Sequence, residues 1–465
     1  MNEYWRWSAH EAAAAVARRD VSVREVVQSA LDRLAAVNPA LNAVPIVLAD
    51  EALREADAAD RKIAAGESLP PLHGVPVTVK SNVDQRGCAT SNGIPAFRDV
   101  IAADDSPVVA NLRRAGAIII GRTNVPELSV RWFTDNPLHG TTYSPWDRGV
   151  TPGGSTGGGA VAVATGIGAL AHGSDSAGSV RYPAYACGVV GFKPSAGRIP
   201  SYDATARGDR PFPSQIVAVH GVLARSVDDA WRGLAAMSVG DARDPWWVPA
   251  PLDGPASGRS RPRIAVITGT AHGASAGPRD AVAAASHWLA GDGCDVEEAA
   301  PPHFEEACDL WLKIVLTSNR LRFGAIEQIG SERIIRAIKG MLNATAPLDV
   351  AGFLGALARR DTIARAWQVF FEDYDALLLP VSYREPFPLD LDQQDGAMPG
   401  VMAAQMPLLA ASILGLPAMS VPTGLLDGVP TGVQIVSARF REDRCRVVAA
   451  RIERHAPPLT PHTPA

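Results

Sequence analysis

Apolar and polar residues follow two different periods along this chain, and the change-overs fall at recognisable punctuation. Two helix-period runs open it, each announced by a capping box: Ser8 with Glu11 before EAAAAVARR, and Ser22 with Glu25 before VVQSALDRLAAV. Pro39 is expected to close the second run, because proline cannot continue a helix. A β-branched run, VPVTVK, then predicts a strand ending on Lys80. Residues 106–114 read as a helix leading into AIIIG, a continuous apolar run suited to a buried strand. Later strand candidates are RIAVITG, ALLLPV, PAMSVP and GVQIVSA, with helical stretches such as DAVAAASHWLA and RIIRAIKGML between them. Strands alternating with helices predict an α/β fold with a largely parallel sheet. Residues 250–262 (APLDGPASGRSRP) have the composition of a linker or surface loop.

Composition narrows the function classes. With 47% apolar and 20% charged residues the 465-residue chain has ample material for a core. Its 44 basic and 49 acidic residues are not clustered, so no nucleic-acid or anionic-membrane surface is expected. The opening MNEYWRWSAH has no apolar signal core, and no stretch reaches the ~20 apolar residues of a membrane span. A cytoplasmic location is the default expectation. Five cysteines (Cys88, Cys187, Cys294, Cys308, Cys445) with no C-x-x-C pair argue against a disulfide framework or a zinc site. They are expected to be buried thiols.

From Gly153 the sequence turns to TPGGSTGGGAVAVATGIGALAHGSDSAGSVRYP, dominated by Gly, Ala and Ser. Ser155 lies in a formal G-x-S-x-G match, but that nucleophile elbow needs a preceding strand and SPWDRGVTP cannot supply one. A phosphate-binding loop fails for the same reason and for want of its Lys-Ser/Thr pair. In the second candidate, Ser176, Ala177, Gly178 and Ser179 are small residues whose N–H groups can converge on one point, as an oxyanion hole requires. Read alone, the same run is also an ordinary Gly/Ser turn.

The combination resembles the amidase-signature family. PGGSTGGGA and GSDSAGSVR match its core pattern and hold Ser155 and Ser179 24 positions apart, the family's spacing; upstream GVPVTVK ends on Lys80. The segments GCATSNG, GFKPSAGRIP and LGLPAMSVPTG also resemble family segments, so the likeness runs through most of the chain. The resemblance implies one large domain over residues 1–465, a twisted mixed sheet flanked by helices on both faces. Within it, N-terminal helices occupy 1–60, a catalytic core 70–225, and the remaining strands and helices 263–465. It implies Ser179 as the nucleophile that becomes the acyl-enzyme ester, with Ser155, on a cis peptide bond, bridging it to Lys80. Lys80 must then be neutral, which burial can achieve. The backbone N–H groups of Ser176, Ala177, Gly178 and Ser179 would form the oxyanion hole, and Ser129 would help hold substrate through its backbone.

There are departures from the pattern. Ala177 replaces a usual glycine and would be strained if that position needs positive φ. Thr156 stands where a second serine is common, and Ser81 where an acidic residue often follows the lysine. Asp175 and Arg181 are read as loop-holding residues. His73, His139, His172 and His220 are read as loop histidines with satisfied hydrogen bonds. Of Trp132, Phe133, Tyr143 and Trp146, at least two are expected in the core; any that line the pocket would favour aryl or bulky apolar amides. Residues 202–214 are a candidate entrance loop. No cofactor and no metal are implied; the partner expected is a small-molecule amide, with carbamates and esters as further substrates and a homodimer as a permitted assembly. The rival readings are the amidase subunit of a glutamine-dependent tRNA amidotransferase, a non-catalytic binding protein on the same fold, and an α/β-hydrolase using Ser155 with a histidine.

Overall fold

The β-branched run before Lys80 forms a strand, Pro76–Lys80, buried along its whole length. The computed structural model describes residues 2–254, 261–269 and 273–464. Thirteen strands occur among the described residues: β1 (Ile46–Val47), β2 (Pro76–Lys80), β3 (Ile118–Thr123), β4 (Asp135–Asn136), β5 (Gly140–Thr141), β6 (Leu170–Asp175), β7 (Val190–Lys193), β8 (Val219–Ala224), β9 (Arg263–Val266), β10 (Asp295–Glu298), β11 (Ala376–Pro380), β12 (Ala418–Leu426) and β13 (Val429–Val436). All the strands read from the sequence are present. The expected loop over 250–262 falls partly on residues 255–260, which lie outside the described residues.

Eleven strands make one sheet in the order β1-β3-β2-β6-β8-β7-β12-β13-β11-β9-β10. The sheet is mixed, as the family likeness implied, and not largely parallel, as strand–helix alternation alone suggested. Parallel pairs are confined to β3-β2-β6 and β11-β9-β10. Every other pair in this sheet is antiparallel. Part of the reason is local: Asp427 (φ 51°) and Gly428 (φ 81°) join β12 to β13 in a two-residue hairpin, whose tight turn requires positive φ.

Helices cover both faces of the sheet. Along β11, Ala376 and Leu378 pack into one apolar cluster and Leu377 and Leu379 into the other, as the two-residue strand period requires. The first cluster includes helices Ala9–Ala17 and Val23–Leu41, both with complete capping boxes. The second includes helices Phe304–Ile329, Glu332–Leu342 and Val350–Asp373. Pro39 does not close its helix, which continues to Leu41. The end is set instead by Asn42, left-handed at φ 53°, and by the Asn38 carboxamide, which accepts from the N–H groups of Ala43 and Val44.

Candidate active site

Lys80 ends β2 and Asp175 ends β6, two parallel strands in register at Thr78 and Ala171. Their carboxyl ends therefore open on the same edge, where α/β sheets present ligand sites. Ser155 precedes helix Gly157–Thr165, which carries the chain away, and β6 brings it back to the loop holding Ser179. The 24-residue spacing is thus one helix out and one strand back, closed where the Thr156 N–H donates to the Ser179 carbonyl at 3.1 Å. The Gly154–Ser155 peptide is cis.

Lys80 is wholly buried, whereas Ser179 keeps 8% of its surface open, so of these two only the serine faces a ligand directly. The Lys80 amine lies 2.7 Å from Ser155 Oγ, 3.1 Å from Thr156 Oγ1 and 3.0 Å from Ser174 Oγ. Ser174 Oγ also accepts from Asn82 Nδ2 at 3.0 Å. A neutral amine has two N–H groups and one lone pair, so three hydroxyls can saturate it as well as they saturate an ammonium. The balance is then set by desolvation, which lowers the Lys80 pKa to about 7 against a smaller upward pull from Asp175. The sequence pointed to Ser155 as the lysine's partner but not to Thr156, Ser174 or Asn82. Both extra hydroxyls stand inside the quoted motifs, yet no spacing rule told that they face the lysine.

The loop after β6 is built around Asp175. Its carboxylate accepts from the N–H groups of Gly178 (2.8 Å) and Val180 (3.1 Å) and from Arg181 Nε (3.0 Å) and Nη2 (2.9 Å). Arg181 also donates to the Leu408 carbonyl, Gln434 and Ser412 Oγ. Desolvation would raise the Asp175 pKa, but Arg181 and the loop N–H groups outweigh it and hold the carboxyl at about 2. The loop-holding reading of this pair agrees with these bonds. One expectation changes: of the four amides expected to serve an oxyanion, the Gly178 N–H is already bound to Asp175. The N–H groups of Ser176, Ala177 and Ser179 make no hydrogen bond among the described residues. Ala177 is not strained, because the positive φ (94°) falls on Gly178, where an added Cβ would also meet Leu408 Cγ at 2.8 Å.

The other candidates sort by position. Ser129 and Leu128 both adopt left-handed conformations (φ 55° and 56°); the Ser129 hydroxyl donates to Asn92 Oδ1 at 2.7 Å and its backbone N–H to the Pro126 carbonyl at 2.9 Å. His172 and His220 are not in loops: they face each other across β6 and β8 at 3.0 Å, buried, with pKa values pushed down by desolvation. Trp132 and Phe133 are buried. Tyr143 lies under Arg148, and Trp146 stacks on His462, so of the four aromatics only Trp132 bonds the nucleophile loop, at the Ala177 carbonyl. The 202–214 segment is fastened: Asp203 Oδ1 accepts the Asp84 N–H at 2.7 Å, and Asp84 accepts the Thr205 N–H at 2.9 Å. The five cysteines are free and buried. Among the described residues no cluster of His, Cys, Asp or Glu could hold a metal, and no helix is long and apolar enough to cross a membrane.

Gly154 is held by close approach. A Cβ there would lie 2.6 Å from the Phe133 N and against the Arg131 carbonyl, backbone atoms that cannot rotate away. Gly154→Ala is expected to cost about 3 kcal/mol of stability, measured by urea unfolding, and to displace Ser155.

Comparison with known proteins gives a consistent result. The family model described as Amidase matches residues 25–445. An indoleacetamide hydrolase of Bradyrhizobium diazoefficiens is 43% identical, over 97% of this chain and 87% of that protein. The A-type subunit of the glutamyl-tRNA(Gln) amidotransferase of Acidothermus cellulolyticus is 34% identical, over 97% of this chain and 95% of its own. The crystal structure of a bacterial aryl acylamidase of the amidase-signature enzymes superposes with a TM-score of 0.82 at 27% identity, covering 98% of this chain and 97% of that one.

Proposed function

Because this chain belongs to the amidase family, we propose that it is a serine-dependent amidohydrolase that cleaves the C–N bond of arylacetamides, of which indole-3-acetamide is the type. The carrying observation is the buried Lys80 amine 2.7 Å from Ser155 Oγ, behind a loop that presents Ser179 and three free N–H groups. Ser179 Oγ attacks the amide carbon as its proton passes to Ser155 Oγ, and the Ser155 proton passes to Lys80 Nζ. This route requires Ser179 Oγ and Ser155 Oγ to come within hydrogen-bond distance once substrate is bound. The N–H groups of Ser176, Ala177 and Ser179 receive the developing oxyanion. Collapse of the tetrahedral intermediate breaks the C–N bond, and Lys80 returns a proton through Ser155 so that the nitrogen leaves as ammonia. Water then repeats the sequence on the Ser179 ester, releasing the carboxylate. Aryl esters, and carbamates that expel a phenol, are secondary substrates of matching shape, since a phenolate needs less proton assistance than an amine.

The preference for an aryl group is supported by the 43% relative. The 34% relative supports a second reading, in which the chain is the amidase subunit of a glutamine-dependent tRNA amidotransferase. A fluorophosphonate probe, with the label located by peptide mass spectrometry, and ammonia release from indole-3-acetamide and from glutamine test both. Label on Ser179 and ammonia from the arylacetamide by the isolated chain are expected. Label on Ser155, or none, would overturn the mechanism. Ammonia from glutamine alone, dependent on added subunits, would establish the second reading.

A further inference from the structure

Each carbonyl of the nucleophile loop from Ser176 to Ser179 has its own donor. Ser179 O accepts from the Thr156 N–H and Gly178 O from the Tyr182 N–H, at 3.1 and 2.7 Å. These two donors are backbone groups close to the loop. The other two are indoles from distant parts of the chain. Trp311, on helix Phe304–Ile329, donates from Nε1 to Ser176 O at 2.8 Å; Trp132, in the segment before β4, donates from Nε1 to Ala177 O at 2.9 Å. Both side chains are almost wholly buried, so neither bond is easily exchanged for one to water.

A trans peptide is planar, with its C=O and N–H pointing in opposite directions, so a donor that holds the carbonyl also aims the N–H of the next residue. The two indoles thereby control different amides. Trp132 holds the Ala177–Gly178 peptide, whose N–H is already bound by Asp175 Oδ1 at 2.8 Å, so that plane is held at both ends. Trp311 holds the Ser176–Ala177 peptide, whose N–H is free, so that plane is held only at its carbonyl.

We propose that Trp311 is a positioning residue for catalysis, its indole N–H fixing the Ser176–Ala177 peptide so that the Ala177 amide points at the oxyanion, whereas the chemically identical bond from Trp132 is redundant for this purpose. The inference rests on the proposed Ser179 chemistry and adds to it an unequal division of labour between two tryptophans. Trp311 touches no reacting atom and acts through one peptide plane. An interaction of this kind strengthens in the transition state, where the oxygen carries charge, and adds little to ground-state binding.

The test compares Trp311→Phe with Trp132→Phe, and each with benzothienylalanine at the same position, which replaces the indole N–H by sulfur at nearly constant shape. The rate of Ser179 labelling by a fluorophosphonate is read first, since it needs no knowledge of the natural substrate. In Trp311→Phe that rate is expected to fall about 10–100-fold, the lower part of the range for loss of an oxyanion donor. The arylacetamide kcat should fall by the same factor with KM within about twofold, and an arylmethyl boronic acid, which forms a tetrahedral adduct, should weaken in proportion. Trp132→Phe should change the same quantities by less than about threefold, because Asp175 still holds its peptide. Benzothienylalanine at 311 should reproduce the Trp311→Phe loss with unchanged thermal stability. Equal losses at both positions, a loss carried by KM, or full activity with benzothienylalanine at 311 would each overturn the inference while leaving the Ser179 reading intact. Failure of the unmodified protein to label at Ser179 would overturn both.

Discussion

Ser179→Ala is expected to reduce arylacetamide hydrolysis by about 10⁵–10⁶-fold, the loss typical of removing a serine nucleophile from a preorganised site. The residue offers the one hydroxyl of the proposed relay that lies on the nucleophile loop, and it is the member with surface open to a ligand. Ser155 cannot take over the attack, because it is buried and already paired with Lys80 at 2.7 Å. Stability should stay within about 0.5 kcal/mol of the parent, since the Ser179 side chain makes no hydrogen bond among the described residues that alanine would lose. Ammonia release and thermal unfolding measured on the same preparation separate loss of chemistry from loss of fold. A variant keeping more than a hundredth of the parent rate would show that another group is the nucleophile.

The second large effect concerns Lys80. Lys80→Met keeps the length and apolar stem but removes the amine, and kcat/KM should fall about 10³–10⁴-fold. The pH profile makes the assignment specific. Burial disfavours the ammonium, so the folded-state pKa is lowered to about 7, and the neutral amine is the proposed base. The parent rate should therefore climb with pH up to about 7 and flatten above it. Below that point each pH unit removes about tenfold of the neutral amine. A limb near 7 would ordinarily suggest a histidine. Here the two buried histidines on the neighbouring strands are pushed down, His220 to about 3 and His172 well below its ordinary value, so neither titrates there. Lys193 is also lowered to about 7 by burial, but its amine is bonded to the carbonyls of Pro194 and Leu416. In Lys80→Met the residual rate should lose its limb near 7; persistence of that limb would assign it to Lys193 or another group.

The sequence by itself determined a good deal. Capping boxes at Ser8 and Ser22, the β-branched run into Lys80 and the apolar run of β3 identified their elements correctly, because each signal is carried by neighbours a few residues apart. The three spaced motifs identified the family and brought Lys80, Ser155 and Ser179 forward together; for the two serines a helix out and a strand back fix the separation almost independently of the rest of the chain, whereas Lys80 came forward only through the family likeness. The tertiary structure decided what depends on distant partners. Antiparallel order in the middle of the sheet follows from how hairpins and crossovers stack, and strand–helix alternation does not report it. Commitment of the Gly178 amide to Asp175 depends on a carboxylate rotamer held by Arg181 and, through Arg181, by Leu408, Ser412 and Gln434. Trp311 reaches Ser176 across 135 positions, and Thr156 and Ser174 reach Lys80 across 76 and 94. Hydrogen-bond partners at such separations leave no period or spacing in the chain, because it is the packing of whole elements that brings them within 3 Å or so of one another.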